Sequence, residues 1–158
     1  MRVWYFSKYN QHILMHPILK SVLAVILGAL IGGAINIGLI QLGSYILPTG
    51  LDENSPTFLN DLGVFLKTAG LEYFVSPYLA HALGTMLGAL VAYLIAALEH
   101  KKIAAFIVGG LFLVGGILAS TMIPAPIWFP IIDILTAYIP MAWIASLIGS
   151  KIQKANGH

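Results

Sequence analysis

No cysteine occurs anywhere in the 158 residues. That excludes disulfides, zinc thiolate centres, iron–sulfur clusters and thiol catalysis. Charge is nearly as scarce: Asp, Glu, Lys and Arg make up 9% of the chain, against about 25% in soluble domains. A formal net charge of +2, with the basic residues in short flanks, leaves no patch for nucleic acid. Catalytic signatures are missing too. There is no H-E-x-x-H, no G-x-S-x-G elbow and no lysine closing a phosphate-binding glycine loop. Gly109-Gly110 and Gly115-Gly116 sit inside an apolar helical stretch, where no phosphate loop forms. Asp133 is the one acid clearly inside an apolar stretch and His81 the one histidine, which argues against a paired-aspartate protease and against bis-histidine haem. No catalytic residue, cofactor or metal is expected.

What is present is apolar. Hydrophobic residues reach 59% and mean hydropathy is +0.90. A chain this short buries only about two thirds of its unfolded surface, so lipid must solvate most of it. Four apolar stretches are long enough to cross about 30 Å of hydrocarbon. They cover about 21–47, 78–98, 103–123 and 127–148 in a single membrane domain. The first is not a cleaved signal, because a polar and aromatic leader of 20 residues precedes it. Of the eight basic residues, Arg2, Lys8, Lys20, Lys101, Lys102, Lys151 and Lys154 fall on one side of a four-span topology and Lys67 alone on the other. Cytoplasmic flanks retain Lys and Arg, so both termini are expected inside.

Short connections at 99–102 and at Pro124-Ala125-Pro126 make the last three spans consecutive antiparallel neighbours. The connection 48–77 is far longer. Within it Ser55-Pro56 reads as a helix start, and Phe58, Leu62, Phe65, Leu66 and Ala69 recur at helical spacing. The fold expected is therefore all-α: a polytopic membrane protein of four antiparallel transmembrane helices in a bundle, with a short amphipathic helix in the first extracytoplasmic loop. The leader, with Trp4, Tyr5, Phe6, Tyr9 and Lys8, reads as an interfacial anchor. His12 and His16 share a helical face but lack a third ligand, so a metal site there is disfavoured.

Each span carries a stripe of small residues: Gly28, Gly32 and Gly43; Gly84, Thr85 and Gly88; Gly109 and Gly116; Thr136, Ala137 and Pro140. Small residues let helix backbones approach where lipid gives no hydrophobic drive. Leu23-Ala24-x-x-Leu27-Gly28-x-x-x-Gly32 matches Leu79-Ala80-x-x-Leu83-Gly84-x-x-x-Gly88, a correspondence read as convergent packing. His81 and Asp133 lie on these stripes at shallow depth, about 5 and 9 Å in from the outer helix ends at 1.5 Å per residue. Gln41, Ser120 and Thr121 approach the same level, Glu72 stands at the loop's re-entry, and Asn36 sits deeper. These residues are the ligand- or proton-handling candidates. Under the structural reading, His81 and Asp133 instead only fix helix register. Trp4, Trp128, Trp143, Tyr45, Tyr78 and Tyr138 fall mostly near helix ends, and most of them read as interfacial belt residues.

The run His81-Ala-Leu-Gly84-Thr85, with Pro124-Ala-Pro126-Ile-Trp128-Phe and Ala137-Tyr-Ile-Pro140-Met-Ala-Trp143 after it, is similar to small four-helix bacterial membrane proteins of unassigned activity. The likeness spans 16–151 and implies a bacterial inner membrane, but supplies no site residues. The function expected is a small solute or ion carrier with an outward-facing polar pocket. Two alternatives stand beside it: an accessory subunit of a larger membrane complex, and an enzyme on lipid or quinone. The expected partners are the bilayer and either a second copy or other membrane subunits.

Overall fold

The computed structural model describes residues 16–155. The leader's aromatic residues and His12 lie outside them. Within them the chain is helical, without strands: α1 (Pro17–Ile46), α2 (Phe58–Leu66), α3 (Glu72–Ile95), a 3₁₀ turn (Leu98–His100), α4 (Lys101–Met122), α5 (Trp128–Thr136) and α6 (Ile139–Ala155). α1, α3, the 3₁₀ turn with α4, and α5 with α6 are each long and apolar enough to cross a membrane, which marks a multi-pass membrane protein.

Packing follows from side-chain size. α3 is the central element and packs against α1, α4 and α6. Its contact face is made of Ala80, Gly84, Gly88, Ala89 and Ala92, all buried. Opposite it, Gly28 lies against Gly88 and Ala92, and Gly32 against Gly84, so α1 and α3 run antiparallel with backbones touching. A β-carbon on Gly28 would stand 2.5 Å from the Gly88 carbonyl oxygen. Ala104, Ala105, Ala142 and Ala145 continue this small-residue core, and Gly109 faces Ala142. Large side chains point the other way: Ile18, Leu30, Leu111 and Leu135 are exposed, as suits a lipid surround.

Several boundaries depart from the sequence reading, the end of the fourth span among them, at Ala155 where 148 was expected. α1 begins at Pro17, four residues early, because proline suits a first helical turn and the His16 ring accepts a hydrogen bond from the Ile18 amide (3.3 Å). α3 begins at Glu72 and runs through Pro77, where a start at Tyr78 was expected. Tertiary contacts hold that first stretch despite the proline. Phe74 is buried with ring centroids 4.8 Å from Trp128 and 5.1 Å from Phe129. Ser76 donates to the Leu39 carbonyl at 2.8 Å, tying the same stretch to α1.

The fourth span, expected as one helix, is broken at Ala137-Tyr138. Pro140 is the cause: it has no N–H for the Thr136 carbonyl, and its ring collides with that carbonyl in a regular helix. The loop helix α2 begins at Phe58, not at Pro56. Ser55 and Thr57 form a turn ahead of it, with the Thr57 amide donating to Ser55 Oγ (3.2 Å) and the Thr57 hydroxyl to Asp61 (2.8 Å). Its buried Gly63 sits against Pro124, which docks the loop on the connection between α4 and α5.

Candidate functional site

The polar centre is built from two helices and a helix break. α3 supplies His81, α5 supplies Asp133, and the break after α5 supplies Tyr138. His81 Nδ1 donates to Asp133 Oδ2 at 2.8 Å, and the Tyr138 hydroxyl donates to the same oxygen at 2.7 Å. Asp133 and Tyr138 are enclosed, whereas 19% of the His81 side chain stays accessible. With Nδ1–H directed at the carboxylate, Nε2 is the ring nitrogen left for another partner. Asp133 Oδ1 is buried and has no hydrogen-bond partner among the described residues. Such an orphaned acceptor costs about 1–3 kcal/mol.

The helix break makes this geometry. In a continuous helix Tyr138, five residues after Asp133, would point to a different face. Here the interruption turns its ring back onto the carboxylate, and Gly116 on α4 leaves the space the ring occupies. One turn towards the loop, the Thr136 hydroxyl donates to Ile132 O (2.7 Å), so Tyr78 must donate its own proton to Thr136 Oγ1 (3.0 Å). Two hydrogen-bonded links thus tie α3 to the fourth span.

His81, Asp133 and Tyr138 stand in the wall of a cavity of about 1300 Å³. This exceeds the range of about 300–1,000 Å³ usual for small-molecule sites. It occupies the loop-side half of the molecule, between the C-terminal halves of α1 and α4, with α2 along its mouth. Its base lies where α1 and α4 converge, with the Phe112 ring tip 3.0 Å from where a Gly32 β-carbon would be. The wall is otherwise mostly apolar: Ile37, Ile40, Leu62, Leu66 and Phe129 are typical.

The candidates named from sequence separate here. His81 and Asp133 are in contact. Glu72 lines the mouth, and Asn36 lines the deeper wall beside Gly84. Ser120 also lines the cavity, but its hydroxyl donates to Ile117 O at 2.7 Å. Gln41 and Thr121 are exposed and outside the cavity lining, and Thr121 donates to Leu118 O. The packing glycines Gly28, Gly32, Gly84, Gly88, Gly109 and Gly116 all meet neighbours within the chain.

Tyr138 and Tyr78 correct the belt reading, since both hydrogen-bond inside the protein. The signal for Tyr138 was Pro140 two residues on, which reorients everything between it and Asp133. Among the described residues no group of three His, Asp or Glu side chains is placed to hold a metal ion. No family model, curated protein or solved structure matches the chain.

Proposed function

We propose that the chain is a small carrier of a bacterial inner membrane: a four-helix antiparallel bundle, both termini cytoplasmic, its amphipathic loop helix covering an outward-facing pocket. The solute that fits this pocket is amphiphilic, with an apolar body for the walls and a hydrogen-bonding head for His81 Nε2. The observation that carries the reading is the placing of the Asp133–His81–Tyr138 cluster in the wall of the cavity. A purely structural pair would be sealed on all sides, but His81 keeps an accessible face. The broken fourth span adds support, because interrupted helices beside a polar group recur at carrier substrate sites. The cavity forms within one chain, so the pocket does not require a second copy.

The enzyme reading keeps one specific support, the carboxylate that fixes the His81 tautomer and leaves Nε2 free to accept a proton. The subunit reading is less favoured, because the glycine stripes it would leave open are filled by the chain's own helices.

The test uses a fluorescent long-chain alcohol and the protein in nanodiscs. Gly115 lines the cavity with open space beside it, so Gly115→Trp fills the cavity without disturbing packing. Saturable binding is expected for the native protein, with at least tenfold weakening in Gly115→Trp and in His81→Phe. Equal binding by all three would overturn the proposal. Recovery of a chemically altered alcohol would favour the enzyme.

A further inference from the structure

The opposite end of the molecule carries a second groove, of about 320 Å³, between the first turns of α1 and α4. Its walls are apolar, formed by Val22, Ile26, Ile103 and Ile107, and Ser21 and His100 stand in its lining as the polar groups. Hydrogen bonding fixes the state of that polar end. The Ser21 hydroxyl donates its single proton to Pro17 O at 2.8 Å. It must therefore accept from the Ala97 amide (3.3 Å) and from His100 Nδ1 (3.1 Å). His100 is thus held as an Nδ1–H donor, and its Nε2 makes no hydrogen bond among the described residues.

Charge gathers around this bond. Lys20 precedes Ser21 and Lys101 follows His100, so one lysine flanks each partner. The Ser21–His100 bond brings together the two segments that carry these lysines. Among the described residues neither lysine has a carboxylate at ion-pair distance, the one such pair being His81–Asp133. Two cations next in sequence to the groove's polar lining residues, without a carboxylate partner among the described residues, complement a negatively charged head on an apolar tail. A free anion would answer the lysines but leave the groove unfilled. We infer that the groove binds an anionic phospholipid, one acyl chain along Val22, Ile26, Ile103 and Ile107 and its phosphate between Lys20 and Lys101. This site is independent of the cavity reading and survives its failure.

The test is native mass spectrometry of the protein titrated with phosphatidylglycerol or with phosphatidylcholine of the same acyl chains. Native protein is expected to retain phosphatidylglycerol roughly tenfold better, the scale set by two lysines beside one anionic head. Lys20→Gln with Lys101→Gln should bring the two lipids to parity. Lys151→Gln with Lys154→Gln, at the same end on α6, should leave the preference intact. Val22→Trp, which fills the groove without changing charge, should also lose the retained lipid. The inference falls if native protein shows no preference, if the α6 lysine pair matters as much, or if millimolar inorganic phosphate displaces the lipid from native protein.

Discussion

At Asp133 two donors converge on one carboxylate oxygen while its enclosed twin takes none. Within a membrane span each donor lost would be felt, because bonds to a charged acceptor are worth about 1.5–3 kcal/mol. Tyr138→Phe should therefore lower thermal stability in detergent by that scale. Tyr45→Phe, at a side chain 86% exposed, should leave it unchanged. Equal effects would show that the Tyr138 hydroxyl is idle. The histidine gives a sharper test. His81→Leu strips one donor from a buried acid, whereas His81→Leu with Asp133→Leu removes the polar pair and replaces it with apolar volume. Breaking a buried pair costs more than replacing both partners. The double variant should thus melt at or above the single one, yet bind no amphiphile. A double variant that melts below the single one would assign the pair to structure first.

Among the elements, the four glycines between α1 and α3 decide whether the chain folds. Gly28→Leu puts a side chain where the Gly88 carbonyl stands, so it should abolish the monodisperse species in size-exclusion chromatography. Gly33→Leu, five residues along the same helix with open space around it, should elute as the native protein does. If both elute normally, α1 and α3 do not pack through this seam. The seam also explains the sequence match between the first two spans. Gly28 meets the counterpart of Gly32, and Gly32 meets the counterpart of Gly28, so two copies of one small-residue pattern pack antiparallel about a local two-fold. The spans and their small-residue stripes were legible because both rest on composition and period, whereas the meeting of the first two stripes in one seam is seen only in the fold. The start of α3 was not legible, because proline at 77 reads as a boundary and only the aromatic contacts of Phe74 override it. The break at Ala137-Tyr138 was written in Pro140, but that residue passed for one more small member of a packing stripe. Tyr138 was lost with it, since a tyrosine near a helix end resembles an interfacial anchor until the helix is known to turn.

For the molecule as a whole, charge divides the two ends. Lys20, Lys101, Lys102, Lys151 and Lys154 gather with Glu99 at the end that holds the small groove, and Asp52, Glu53, Asp61 and Glu72 face Lys67 alone at the cavity end. Lys and Arg are retained in the cytoplasm. A green fluorescent protein fused after His158 should therefore fluoresce in a bacterial host, and an alkaline phosphatase fused there should stay inactive. The phosphatase should become active when inserted between Glu53 and Asn54. The reverse pattern would invert the protein and turn the cavity to the cytoplasm. The site was half legible: shallow depth on two small-residue faces marked His81 and Asp133 as candidates, but only the fold brings them into contact and shows a large cavity at their side.

The glycine seam has a consequence for genetics. Most lesions that overfill a protein interior can be relieved by a smaller residue opposite. At Gly28, Gly32, Gly84 and Gly88 the nearest atom opposite is the backbone carbonyl oxygen of a facing glycine, so trimming a side chain cannot relieve the closest contact. A selection for second-site suppressors of a bulky change at any of the four should return true revertants, or changes remote from the seam, and none from the facing position.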